Sequence, residues 1–326
     1  METITVGGRR YTDPDIISLI RATGQLVDPR SAVIHQARQL NRDYRSFGNE
    51  AQPLERLKIL ASLRGLEIAE MDRELSSREK RDAVLLPISG GKRGQIVYNP
   101  VRAPGRVAFS VAHEIAHTFF PNSISGARFR TMCTADSREG NELERLCDLA
   151  ASELLMPLEE FRSVAGKGMG LHLVEQLSAI FGSSFESTVF RMATSYQGLA
   201  AAGLFRYRFT KGEQRARLVS SSQRVLFELP SPESNESLCP KYRRQSFYTS
   251  EACGNEHVVP WNKSLDLLSC AYIAGRCTAI QRALEALPNQ ANLVGTFEAV
   301  RAPYQRTDAH SVFGDVLFLW WQEHQG

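Results

Sequence analysis

Apolar residues recur at Val111, Ile115 and Phe119 within Arg106–Phe120, the stripe of an amphipathic helix docked on a core. Pro104-Gly105 marks a loop before this run and Pro121-Asn122 a stop after it. A second helix is predicted from Glu142 to Met156, opened near Gly140-Asn141 and closed by Pro157. Upstream, β-rich runs near Leu66–Ala69, Ala83–Ile88 and Gln95–Tyr98 predict three short strands. Ser89-Gly90-Gly91-Lys92-Arg93-Gly94 reads as the hairpin turn between the last two; it lacks the GxxxxGK[ST] spacing of a phosphate-binding loop.

The N-terminal fifty residues read as helical, with Asp13-Pro14-Asp15 opening one helix and Asp28-Pro29 another that runs to about Tyr44. Further on, Val174–Phe181 and Phe185–Met192 are two short helices around Gly182, with Ser184 as cap of the second. In the last third, Leu204–Thr210 and Arg215–Leu218 read as a hairpin around Lys211-Gly212-Glu213, and Arg224–Leu229 as a further strand. Trp261–Leu287 and Phe313–Gln322 read as helical or strongly apolar.

A chain of 326 residues with 43% hydrophobic and 23% charged content is globular, with room for more than one domain. Its net charge of +3 is too small to assign a partner by itself. No charged start runs into an apolar leader, and no apolar run is long enough to span a membrane, so a cytoplasmic location is expected. The six cysteines are widely spaced and form no CxxC pair, which predicts free thiols in place of a disulfide framework or zinc ribbon.

The chemistry sits on the first helix. His113-Glu114-Ile115-Ala116-His117 is a HExxH pentapeptide. Residues i and i+4 lie one turn apart on one helix face, so two imidazoles there can share one Zn²⁺ ion. Glu114, beside the first histidine, is placed as general base. The histidines fall two residues on from the Val111–Ile115–Phe119 stripe, so that face is left to open on a cleft. A catalytic zinc needs a third protein ligand. Glu144 is the best candidate, because Asp148 follows it one turn later and can accept the free ring N–H of a ligand histidine. Glu142 and Glu153 are its competitors.

These motifs resemble ImmA/IrrE-type zinc metallopeptidases. Phe109-Ser110-Val111-Ala112-His113-Glu114-Ile115-Ala116-His117 is similar to the family's RFTLAHELGH segment, and Glu144 to Pro157 to its ExEANxFAxxLLMP segment. In that alignment Glu144 falls on the third ligand, Asp148 on an asparagine, and Leu154-Leu155-Met156-Pro157 matches the ending. Ala108 replaces the usual arginine and Ala116 a glycine. The resemblance covers roughly residues 50–195.

It implies an α+β fold: a zincin-like catalytic domain with a small sheet and the HExxH helix, a helix-turn-helix segment, then a mixed α/β sensor-like domain. The expected boundaries are an N-terminal helical segment at 1–50, the peptidase at 51–165, the helix-turn-helix segment at 166–198 and the C-terminal domain at 199–326. It also implies one Zn²⁺ per chain, and an endopeptidase that cuts a helix-turn-helix transcriptional repressor to switch on a stress, DNA-damage or anti-phage programme. The rival class is a non-catalytic, zinc-containing sensor of nucleic acid or redox state; an intact Glu114 argues against it.

Two features lie outside those motifs. Between residues 205 and 248, nine basic residues face four acidic ones, with Phe205, Tyr207, Phe209, Tyr242, Phe247 and Tyr248 interleaved. Basic residues with stackable rings suit single-stranded nucleic acid, which makes Arg206, Arg208, Arg215, Arg217, Lys241, Arg243 and Arg244 candidate contacts and single-stranded DNA a candidate activator. The alternation through Phe205–Phe209 equally fits a strand whose rings turn into the core. Cys133, in the polar loop between the two metal motifs, is a candidate inhibitory fourth ligand, since a thiolate binds zinc better than water does.

Overall fold

The computed structural model describes residues 2–24, 28–47, 52–79, 81–87, 94–121, 140–166, 168–215, 240–254, 259–260, 263–265, 269–288, 290–303 and 314–323. It divides into two compact units: residues 1–164 with 176–187, and residues 165–175 with 188–326.

The first unit opens with a hairpin that the sequence reading missed. Strands β1 (Ile4–Val6) and β2 (Arg9–Tyr11) pair antiparallel across Gly7 and Gly8, whose φ values are +57° and +76°. A two-residue turn of that hand needs positive φ at both positions, which a Gly-Gly pair supplies. Helix α1 (Pro14–Ala22) starts where expected, because the Asp13 side chain accepts from the amides of Asp15 and Ile16. Helices α2 (Pro29–Phe47) and α3 (Pro53–Leu63) follow.

Strand β3 (Leu66–Glu70), helix α4 (Arg73–Arg78), and strands β4 (Ala83–Pro87) and β5 (Gly94–Tyr98) come next. The strands form one sheet in the order β3-β5-β4, with β3 parallel and β4 antiparallel to the central β5. The predicted turn between β4 and β5 lies, for residues 88–93, outside the described residues.

The sheet leads into α5 (Pro104–His117), the helix of the pentapeptide. Pro104 sits in its first turn, where a missing amide costs no hydrogen bond. The predicted stop at Pro121 comes late: the helix ends at His117. Thr118 caps it, its hydroxyl donating to the Ile115 carbonyl at 2.7 Å. Arg64 closes the same end, its Nε donating to Thr118 Oγ1 at 2.9 Å and its guanidinium also reaching the Thr118 carbonyl. A cation there complements the negative end of the helix. Val111 and Ile115 are fully buried and Phe119 nearly so, so the stripe read from the sequence is the packed face.

Helices α6 (Gly140–Leu155), α7 (Leu158–Ala165), α8 (Val174–Phe181) and α9 (Phe185–Ser195) follow. Ser184 caps α9, its hydroxyl accepting from the Ser187 amide at 3.1 Å. Gly182 turns the chain before it at φ +58°, and a Cβ there would meet Pro53 Cγ at 2.2 Å. Gly182→Ala therefore meets both backbone strain and a clash with a rigid ring, each of about 1–3 kcal/mol. We expect its urea-unfolding midpoint to fall clearly below wild type; an unchanged midpoint would contradict this packing.

The second unit is built on a five-stranded antiparallel sheet in the order β7-β6-β10-β9-β8. Its strands are β6 (Ala200–Arg208), β7 (Lys241–Thr249), β8 (Gln281–Leu287), β9 (Gln290–Arg301) and β10 (Val316–Trp321). Three expectations need correction.

The hairpin turn predicted at Lys211-Gly212-Glu213 is instead a helical turn at residues 211–215, and residues 216–218 of the strand expected at Arg215–Leu218 lie outside the described residues. The Glu213 amide donates to Thr210 Oγ1 at 3.2 Å and the Thr210 amide to Glu213 Oε2 at 2.6 Å. That is a capping box, and Thr210-Lys211-Gly212-Glu213 spells it. The same backbone bond holds the Glu213 carboxyl below its ordinary pKa. Arg224–Leu229 lies outside the described residues.

Second, Trp261–Leu287, read as helical or strongly apolar, holds among its described residues a four-residue helix, Ala271–Ala274, and strand β8. Third, Phe313–Gln322 contains the central strand β10. Val316 to Trp320 are fully buried, and a strand covered on both faces reads as a continuous apolar run, which periodicity cannot tell from a buried helix.

No helix among the described residues is long and apolar enough to cross a membrane.

Candidate metal centre

Helices α5 and α6 bring the polar residues of the two motifs together. His113 and His117 project from consecutive turns of α5, and their Nε2 atoms lie 3.3 Å apart. On His113, Nδ1 meets Asp148 Oδ1 at 2.8 Å, and Nε2 lies 3.2 Å from Glu144 Oε2. On His117, Nδ1 lies 3.5 Å from the sulfur of Cys147. Glu114, between the two histidines in sequence, is 5% exposed, so the pentapeptide carries a carboxylate held largely out of water.

The competing glutamates are engaged elsewhere. Glu153 is buried and pairs with Arg38 at 3.1 Å; it also accepts from the Leu158 amide at the start of α7. Glu142 pairs with Arg9 of β2 at 2.8 Å. Tyr98, at the end of the strand before α5, donates to Glu70 at 2.8 Å, and burial together with that carboxylate pushes its phenol up to about 12.

The arrangement fits a cation. An ionised Asp148 carboxylate only accepts, so the proton on His113 sits at Nδ1 and the Nε2 lone pair points inward. There it faces a Glu144 oxygen and His117 Nε2, and acceptors at such distances need a positive charge or a proton between them. A tetrahedral zinc about 2.0–2.1 Å from each nitrogen would hold them about 3.3–3.4 Å apart, which matches the observed spacing. Among the described residues, His113, His117 and Cys147 have donor atoms all within 4.8 Å of one another; Glu144 reaches this group through His113. Cys147 faces Nδ1 of His117, the ring nitrogen other than the one turned toward His113. Its part was missed in the sequence because it reads as a small packing residue, three positions after Glu144. Cys133 lies outside the described residues. Cys147, Cys253, Cys270 and Cys277 are free thiols.

The basic stripe of the second unit forms a different picture from the one its composition raised. Phe205 and Tyr242 are fully buried, and Phe247 is 8% exposed; these rings belong to the core of the sheet and offer no stacking platform. Arg243 pairs with Glu213 at 2.6 Å and Arg206 with Asp315 at 3.4 Å. Arg244 donates to the Val259 carbonyl and lies over the Phe247 ring. Burial lowers the pKa of Arg208. Lys241 starts β7 half-buried, Arg215 is exposed, and Arg217 lies outside the described residues. In α9 the one basic residue, Arg191, is 5% exposed, which withdraws it from phosphate contact.

Residues 64–193 match the family profile of Peptidase M78, the IrrE N-terminal-like domain. Among solved structures, a Mycobacterium tuberculosis transcriptional regulator superposes with a TM-score of 0.52 over 94% of this chain and 81% of its own, at 13% identity. That likeness is one of fold. No curated protein sequence matches the chain.

Proposed function

We propose that this chain, whose residues 64–193 form an IrrE N-terminal-like domain of the ImmA/IrrE type, is a zinc-dependent endopeptidase that cleaves a helix-turn-helix repressor and so releases a stress, DNA-damage or anti-phage programme. The observation that carries the chemistry is the convergence of the two Nε2 atoms, 3.3 Å apart, with Glu144 beside one of them. His113, His117 and Glu144 would hold the ion. When bound, zinc supplies Lewis acidity, bringing the pKa of a water toward about 7 and polarising the scissile carbonyl. The remaining work falls to side chains of this protein. Glu114 takes a proton from the attacking water and delivers it to the leaving amine nitrogen. Asp148 keeps His113 in the tautomer that turns Nε2 inward.

The regulatory half of the reading is supported by the family and by the fold shared with a protein described as a transcriptional regulator. In this reading the peptidase occupies residues 51–165, residues 166–198 supply the helix-turn-helix segment, and residues 199–326 sense the trigger; a DNA-bound substrate places the protein in the cytoplasm. The test is to incubate the zinc-loaded protein with helix-turn-helix repressors encoded in the same genome, with and without single-stranded DNA, and to map products by mass spectrometry. We expect discrete, zinc-dependent cleavage. Repressors all left intact in both arms would sink the proposal.

A further inference from the structure

Cys147 has no place in the mechanism above, yet it is fully buried and its sulfur lies 3.5 Å from His117 Nδ1. The two nitrogens of an imidazole sit on different edges of the ring, and the partner of one decides what the other can bind. Asp148 stands in this relation to His113, at 2.8 Å from Nδ1. Cys147 and Asp148 are consecutive on α6, so neighbouring residues of that helix back the two rings that consecutive turns of α5 present.

We infer that Cys147 is a positioning residue for His117. Its sulfur accepts the Nδ1–H, fixes the tautomer and leaves the Nε2 lone pair facing His113. The inference rests on the zinc reading of the site. Direct ligation by Cys147 is the competing use of the same atoms, since its sulfur belongs to the mutually close donor group. It would put the ion on the Nδ1 side of His117, away from the 3.3 Å gap between the two Nε2 atoms. Because Glu144 and His117 Nε2 already frame that gap from His113, the outer position is the one the geometry favours.

The experiment compares the full-length wild type with Cys147→Ala and Cys147→Ser. Zinc affinity is measured by competition with a chromophoric chelator, and the cobalt-substituted wild type is examined by absorption spectroscopy. We expect one metal per chain, a cobalt spectrum without a thiolate-to-metal charge-transfer band, and a roughly 10–100-fold loss of zinc affinity in Cys147→Ala. Cys147→Ser, which keeps a hydrogen-bonding atom, should recover part of that loss. A Cys147→Ala protein that binds zinc as tightly as wild type overturns the inference. So does a thiolate band in wild-type cobalt protein, a readout that needs no variant to fold. A wild type that binds no metal fails at the earlier step and overturns the peptidase reading with it.

Discussion

Glu114→Gln should leave one zinc bound per chain and remove hydrolysis. Glutamine has nearly the volume of glutamate and fits the same buried position, where Glu114 is 5% exposed, but its amide cannot take a proton from water. A general base contributes about 10²–10⁴-fold, so kcat/KM on a cleaved substrate should fall by at least about 10²-fold, equivalent to roughly 3 kcal/mol of barrier. The measurement pairs that rate with metal content by elemental analysis. Full metal with lost activity assigns Glu114 to proton transfer. Activity near wild type would remove it from the mechanism, and lost metal would make it a structural support of the ligands.

Trp320→Ala should produce the largest loss of stability in the second unit. Trp320 is fully buried in β10, between Ala201 of β6 and Phe297 of β9. Its indole N–H donates to the Glu285 carbonyl at 3.1 Å. Its ring fills the space over Gly295, where a Cβ would lie 2.8 Å from Trp320 Cε2. Truncation of a buried tryptophan costs about 3–5 kcal/mol, and here it also removes the donor of a part-buried hydrogen bond to the Glu285 carbonyl, adding about 1 kcal/mol. At roughly 2–4 °C per kcal/mol for a unit of this size, the thermal midpoint of that unit should drop by on the order of 10 °C. Trp320→Phe, which keeps most of the volume and loses only the donor, should fall in between. A melting curve for Trp320→Ala that overlays wild type would mean that β10 is not the centre of this core.

The local rules and their failures divide along one line. Strands β3, β4 and β5 lie within a residue or two of the runs that predicted them, because neighbouring residues and nearby turns decide short strands flanked by breakers. The helix start at Asp13-Pro14 follows equally from local chemistry, whereas Pro104-Gly105, read as a loop, is instead the first turn of α5, where a proline is favoured. The Gly7-Gly8 hairpin and the Thr210–Glu213 capping box are equally local and are spelled in the residues. The strands of the second unit are another matter. Strand β6 pairs with β7 and β10, which lie more than thirty and more than a hundred residues further along the chain, and nothing in a window of ten residues carries such pairings.

For this protein, the sequence alone determined the two histidines and Glu114 on one helix, because a spacing of four is a fact of helical geometry. It also put Glu144 and Asp148 one turn apart on a second helix. Only the packing of α5 against α6 decided which acid meets which ring nitrogen: Asp148 behind His113, Glu144 in front of it, Glu142 and Glu153 drawn away by Arg9 and Arg38. The same packing gave Cys147 to His117. The physical reason is range. Periodicity fixes where a side chain points from its own helix, while the partner it meets depends on a crossing between helices that no stretch of either one encodes.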